Sequence, residues 1–310
     1  MLDEFSLRCG LMSMDEFLTG VFRKLEPEDF RVLTAVELGM VSHAYTPIED
    51  IVRYSSLPRE EVLYRIRRLN GFKLIRGIVS PFKGYVLNYY GYDFLALNAL
   101  VKAGKLEALG KPVGIGKEAD VFEGLTPSGE KVIVKFHRVG RVSFRKTRRV
   151  RRYIADRTHI SWLYQSRKAA EKEFEALEIL DRINAKAPKP IAQNRHVVVM
   201  SFFSGVELVN VKVVDEPLPL FKDIVDEVKR VYFEAGLIHG DLSEYNIIIK
   251  EDGDFMLIDW PQFMKRSDPE SEKYLKRDLE KIVSFFNKRF KLKLNPNQVL
   301  NYVLGLADGF

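Results

Sequence analysis

Cysteine is all but missing: Cys9 stands alone among 310 residues. That excludes an intramolecular disulfide framework and a four-cysteine zinc site. No apolar run approaches the roughly 18 to 20 residues needed to cross a bilayer. The opening segment MLDEFSLRCG is acidic where a secretory signal would be basic, so no export is expected. From these absences we expect a cytoplasmic chain with no membrane partner. Glutamine is scarce too, with four residues beside 30% charged ones, a balance that leans towards a thermophilic source. No internal repeat or low-complexity segment is visible. What is there is an ordinary 46% of hydrophobic residues, in a length that accommodates two domains.

The net charge of +6 is unevenly spread. Between Arg138 and Arg157 lie nine Arg or Lys residues and one acid, Asp156, a local excess of +8 that leaves the rest of the chain at −2. Such a run is either a solvated face or a segment for the phosphates of RNA or nucleotide. Tyr153 and Trp162 lie in or beside it as candidates for base stacking or for packing.

Local patterns divide the N-terminal third into three short helices and a hairpin. Phe30, Leu33, Val36 and Leu38 have helical spacing and Gly39 ends the run. TPIEDIVRYSS reads as a helix with a Thr cap and Pro47 in its first position, and LPREEVLYRIRRLNGF as another Pro-started helix closed by Asn70-Gly71. KLIRGIVSPFKGYVLN then gives two strands about a Pro81–Gly84 turn. This order is that of a winged helix. Arg65, Arg67 and Arg68 project near the polar face of its third helix, so nucleic-acid contact is expected there. A connecting helix ended by Gly104 follows, then strand patterns at VGIGKEADVFEGLT and EKVIVKFHRV. Beyond the basic run come a helix over 167–180, a loop at AKAPKPIAQ, a strand at HVVVMSFFSG and a helix over LPLFKDIVDEVKRVYFEAG. A helix from about Asp268 to Arg289 and one more at the end close the chain.

The most informative stretch is LIHGDLSEYNIIIKEDGDFMLIDW, residues 237–260. Two apolar, β-branched pieces flank the turn signal KEDGD, which predicts a short antiparallel hairpin. It brings His239-Gly240-Asp241, Asn246 and Asp259 near one another, and polar groups fixed at strand ends commonly hold a metal or a reacting group. Three weaker signals precede it in order. Gly114 and Gly116 in GIGKEADVF let backbone N–H groups approach phosphates, Lys135 lies in the strand VIVKFH, and Glu173 lies on a helix. Singly, these are a tight turn, a solvent-facing lysine and a surface acid.

Phosphoryl transfer accounts for all four signals together. A lysine paired with a helix glutamate holds the α- and β-phosphates of ATP. Asn246 and Asp259 hold Mg²⁺, with Mn²⁺ an alternative, and Asp241 orients the nucleophile and accepts its proton. With GIGKEADVF, VIVKFHRVGRVSFRKTRR, WLYQSRKAAEKEFEAL, RHVVVM, HGDLSEYN and LIDWPQ in this order, the chain resembles the RIO family of atypical serine/threonine kinases, in the subfamily with an N-terminal winged helix.

The resemblance runs over nearly the whole length. It implies an α+β fold: a winged helix over 1–90, a connecting helix over 91–106, a kinase N-lobe over 107–203 and a truncated C-lobe over 204–310. The flexible basic loop spans about 138–160. It also implies that Gly114, Gly116, Lys117 and Glu118 lie along the nucleotide, with Lys135 as phosphate lysine and Glu173 as its partner. Met200 stands at the back of the adenine site, with the backbone of Ser201 and Phe203 at the hinge. The implied partners are the small ribosomal subunit precursor and its rRNA.

Departures from ordinary protein kinases narrow the chemistry. Ala119 stands at the third glycine of the loop, Gly240 at the Arg of His-Arg-Asp, and Ser243 at the lysine two residues after the catalytic aspartate. Trp260-Pro261 replaces Phe-Gly, no Ala-Pro-Glu follows, and the fifty or so residues after Asp259 are too few for a full peptide platform. Two rival functions share parts of the pattern. One is a small-molecule phosphotransferase of the aminoglycoside-kinase kind, which leaves the winged helix without a role. The other is a winged-helix RNA-binding assembly factor that only senses ATP.

Overall fold

The structure, a computed structural model, describes residues 20–139 and 152–310, with side chains from 162 onwards in the second stretch. Most of the basic run lies outside the described residues. The chain forms two compact units, one of residues up to 168 with 193–199, the other of 169–192 with 200–310.

The first unit opens with the expected winged helix: α1 (Pro27–Gly39), β1 (Thr46–Pro47), α2 (Ile48–Ser55), α3 (Arg59–Gly71), β2 (Ile75–Ile78) and β3 (Gly84–Leu87). Pro27 occupies the start of α1, where its missing N–H costs nothing. Phe30, Leu33, Val36, Ile51, Val62, Ile66 and Leu69 turn inwards from the three helices and are buried. The sheet order is β1-β3-β2, and the hairpin pairs Ile75 with Leu87 through Ile78 with Gly84.

Two readings of this region change. Thr46 does not cap α2. Pro47 occupies that position, while Thr46 is buried, pairs with Tyr85 and donates its hydroxyl to the Val36 carbonyl at 3.0 Å. A buried hydroxyl needs an acceptor, and the end of α1 supplies one.

Arg65 and Arg68 are not available on the polar face of α3 either. Asp29 is fully buried and draws both guanidinium groups inwards. Arg65 reaches Glu61 at 2.6 Å, Glu26 at 2.8 Å and Asp29 at 3.4 Å, and Arg68 reaches Asp29 at 3.1 Å. Of the three arginines, Arg67 remains exposed.

Helix α4 (Tyr89–Lys102) follows, capped by the Asn88 side chain, which accepts from the Gly91 N–H at 3.0 Å. It leads into β4 (Ala108–Ile115), β5 (Ala119–Leu125) and β6 (Lys131–His137). With β7 (Pro190–Asn194) and β8 (Val197–Ser201) these strands form a sheet of order β4-β5-β6-β8-β7. The segment AKAPKPIAQ is therefore a loop only up to Pro190.

A buried ion cluster ties α4 to this sheet. Arg138, just past β6, is 3% exposed and forms a fork with both oxygens of Asp93 at 2.6 and 2.9 Å. Its Nε donates to Asp120 at 2.7 Å, and His196 Nε2 lies 2.7 Å from Asp93. Burial pushes the Asp93 carboxyl up, but the Arg138 guanidinium and the His196 hydrogen bond together more than offset this and leave it below the usual range. Burial likewise lowers His196, to about 4. Arg138 is thus no part of an anion-binding surface, although it heads the basic run in sequence.

The second unit contains residues 169–182 of the long helix α5 (Arg152–Arg182), which begins well before the expected 167. After it come β9 (Val206–Glu207), α6 (Pro217–Arg230), β10 (Leu237–Ile238), β11 (Ile247–Ile249), β12 (Phe255–Leu257) and β13 (Met264–Lys265). Helices α7 (Ser271–Phe290) and α8 (Pro296–Val303) complete it. Phe221 and Ile224 of α6 and Leu279, Ile282 and Phe286 of α7 are buried in its core, the rings of Phe221 and Phe286 5.1 Å apart. The expected hairpin is present: Ile247 pairs with Leu257 and Ile249 with Phe255.

Candidate active site

In the first unit, β4 and β5 meet at the turn Gly116-Lys117-Glu118. The Gly116 N–H donates to the Ala119 carbonyl at 2.8 Å, and Glu118 presents its carbonyl to the Arg138 N–H at 2.6 Å. The β4–β5 register shifts between Pro112 and Gly114, and a Cβ built at Gly114 meets nothing within 4 Å. The turn is therefore anchored at its end and open over Gly114. Lys135 is opposite Val121 and is buried, with 7% exposed. This differs from the solvent-facing default for a strand lysine. A buried ammonium is retained only in a polar or charged setting.

In the second unit the loop after β10 and the hairpin bring the acidic residues together. Asn246 donates from its amide nitrogen to the Asp241 carbonyl at 2.9 Å, and the Asn246 carbonyl accepts the Ile258 N–H at 2.9 Å. Asp259 follows with φ of +69°, a left-handed conformation that aspartate tolerates better than most residues. The Trp260 N–H donates to Glu173 at 3.2 Å, so Glu173, 1% exposed, fixes the backbone next to Asp259. The structure thus joins Asp241, Asn246, Asp259 and Glu173 through main-chain groups. Met200 is buried at the end of β8. The Ser201 N–H is engaged by the Lys189 carbonyl at 2.9 Å and is not a free hinge donor, while the Phe203 ring carries the Lys250 ammonium at 4.3 Å.

His239 and Gly240 have structural duties that the sequence left open. His239 Nε2 donates to the Ile258 carbonyl at 2.9 Å, and its Nδ1 faces the Asp241 N–H at 3.3 Å. Burial lowers its pKa and keeps it neutral, which matches one donor and one acceptor nitrogen. Gly240 has φ of +79°, and a Cβ there would collide with the Gln262 carbonyl oxygen. No arginine fits at that position.

Three residues of α7 that sequence reasoning missed serve this loop. Asp278 accepts the Gly240 N–H at 2.8 Å, Arg277 donates to the Gly240 carbonyl, and Lys281 Nζ lies 2.8 Å from Asp241 Oδ1. No sequence signal marks them, since charged residues on an amphipathic helix are ordinarily solvated.

Burial pushes the Asp278 carboxyl up to about 6, partly countered by backbone N–H groups and nearby cations. A carboxyl raised in the folded state adds stability below its unfolded value, about 3.8, and that contribution is lost as pH rises through about 6. Asp278→Asn should therefore flatten the fall in stability between about pH 4 and pH 6.5. Urea titrations of both proteins at the two values check this, and parallel pH profiles would count against it.

The donor set suits a hard cation. Asn246 and Asp259 offer oxygen ligands, and the Asn246 amide nitrogen is committed to Asp241, which leaves Oδ1 as the acceptor. Among the described residues no cluster of three His, Cys, Asp or Glu side chains forms a closed metal site. Two protein oxygens completed by phosphate and water is the arrangement Mg²⁺ prefers.

Comparison with known proteins bears on this geometry. The model of the RIO domain matches residues 120–299, and that of the Rio2 N-terminal domain matches residues 22–103. This chain belongs to the RIO family of serine/threonine-protein kinases. Among RIO relatives, the RIO-type serine/threonine-protein kinase Rio2 of Methanocaldococcus jannaschii is 43% identical over 274 residues, covering 85% of this chain and 99% of its own. Serine/threonine-protein kinase rio2 of Schizosaccharomyces pombe is 38% identical, over 87% of this chain and 79% of that one. The Rio2 kinase of Chaetomium thermophilum, crystallised as an ADP/Mg²⁺-phosphoaspartate complex, matches with a TM-score of 0.81 and 32% identity over 94% of this chain and 93% of its own. The expected RIO fold, a winged helix followed by a reduced kinase-like fold, is borne out. No described helix is long and apolar enough to cross a membrane.

Proposed function

We propose that this RIO kinase is an ATP- and Mg²⁺-dependent phosphoryl-transfer enzyme that passes the γ-phosphoryl group through Asp259. The observation that carries this reading is the Asp241–Asn246–Asp259 frame, in which the Asn246 side chain bonds the Asp241 carbonyl and the backbone on either side of Asp259 is held by the Asn246 carbonyl and by Glu173. Mg²⁺ bound there would neutralise charge developing on the phosphates. Asn246 Oδ1 and the Asp259 carboxylate would be its protein ligands, and Lys135 would supply the buried cation for the α- and β-phosphates. Gly114 and Gly116 would let backbone N–H groups approach the phosphates, with Lys117 and Glu118 beside them. Met200 would back the adenine, with the chain from Ser201 to Phe203 along its edge. Asp241 would orient the attacking water of the second step and take its proton.

One Asp259 oxygen attacks the γ-phosphorus as the bond to the β-phosphate oxygen breaks, giving ADP and an acyl phosphate. Water, deprotonated at Asp241, then releases inorganic phosphate. The lack of an Ala-Pro-Glu motif among residues 260–310 supports this order, because ordinary protein kinases carry that motif at the end of the segment that receives a peptide acceptor. So does the phosphoaspartate in the Chaetomium thermophilum relative. We assign the reaction to maturation of the small ribosomal subunit in the cytoplasm, on family resemblance. The winged helix and the basic segment would contact precursor rRNA.

Incubation with γ-labelled ATP tests the covalent step. Label should be trapped on wild type, be cleaved by hydroxylamine and be absent from Asp259→Asn. Hydroxylamine-stable label on serine, passed rapidly to an added protein, would instead make this chain a conventional protein kinase.

A further inference from the structure

The sequence lacks the lysine that ordinary protein kinases place two residues after the catalytic aspartate; Ser243 stands there. The structure returns a cation to the same carboxylate from a distant element. Lys281 Nζ lies 2.8 Å from Asp241 Oδ1, and the Arg277 guanidinium is 4.0 Å from the same oxygen.

These two cations are not strays on a solvated helix. Leu275, Leu279, Ile282, Val283 and Phe286 are buried and set the rotation of α7. That rotation points Arg277, Asp278 and Lys281 at the loop carrying Asp241. Asp278 and Arg277 fasten the Gly240 N–H and carbonyl, which leaves Lys281 as the member of the trio that meets the catalytic side chain. Both partners are partly open, with side-chain exposures of 37% for Lys281 and 42% for Asp241, so the pair is accessible to an incoming phosphoryl group.

We propose that Lys281 is the γ-phosphate lysine of this enzyme, delivered from α7 instead of from the catalytic loop. This rests on the phosphoryl-transfer reading above. An ammonium has three donors. One serves Asp241, and two are left for oxygens of the γ-phosphoryl group, where negative charge gathers during transfer. The same charge screens the repulsion between the Asp241 carboxylate and the incoming polyphosphate. Nothing in this role requires Lys281 for folding, since an exposed ion pair adds at most about 1 kcal/mol to stability.

The test is single-turnover cleavage of ATP by the full chain, run in parallel on wild type, Lys281→Met and Lys281→Arg, with ADP affinity from calorimetry. Lys281→Met should slow cleavage by about 10- to 100-fold, the scale of losing one donor to developing charge. Its ADP affinity should stay within about threefold, because ADP lacks the γ-phosphate. Lys281→Arg keeps the charge and should recover most of the rate. Wild-type cleavage by Lys281→Met, an equal loss in Lys281→Arg, or a parallel loss of ADP affinity overturns the assignment while leaving the enzyme reading intact. No cleavage by wild type refutes the phosphoryl-transfer reading itself, and this assignment with it.

Discussion

Turnover of the Asp241→Asn protein is expected to fall by about 10²- to 10⁴-fold, the usual scale for loss of a general base. Its affinity for ATP should change little. The substitution keeps the shape of the side chain and an oxygen for the Lys281 ammonium. The Asn246 amide bonds to the Asp241 main-chain carbonyl, which the substitution does not alter. What is lost is the ability to accept a proton, and that ability matters only in the chemical step. Single-turnover rates of inorganic phosphate release at saturating ATP, set beside calorimetric binding constants, separate the two effects. Wild-type turnover would remove Asp241 from the chemistry, and a large loss of affinity would make it a ground-state binding group.

Asp93→Ala is expected to lower stability by about 3–5 kcal/mol, the cost of stripping one partner from a buried ion pair. Arg138 would remain buried with Asp120 as its remaining carboxylate, and His196 would lose its nearest acceptor. A shift of the urea midpoint with unchanged slope measures this. A loss below about 1 kcal/mol, the value of a surface pair, would show that water reaches the cluster. Because Arg138 also donates its main-chain N–H to Glu118, the Gly116–Glu118 turn should loosen with it. Faster amide exchange at residues 116–118 would register that.

The sequence by itself determined the elements and the acidic frame. Apolar, β-branched pieces on either side of KEDGD predict the hairpin of Ile247–Ile249 and Phe255–Leu257, and the hairpin brings Asn246 and Asp259 together through local geometry alone. The same local rules placed the three helices and the wing, because capping, helical spacing and turn chemistry act over a few residues. Only the tertiary structure decided what each charge does. Arg65, Arg68 and Arg138 read as a basic surface, yet each is spent on a buried or half-buried acid brought close by packing, Asp29 for the first two and Asp93 for the third. Gly240 is a departure in sequence and a necessity in space, since the Gln262 carbonyl fills the place of its missing side chain. Asp278 and Lys281 are ordinary charges on an amphipathic helix until α7 packs against the catalytic loop. Local periodicity reports which face of an element is apolar. The partner of a charged side chain is set by where another element comes to rest, tens of residues away.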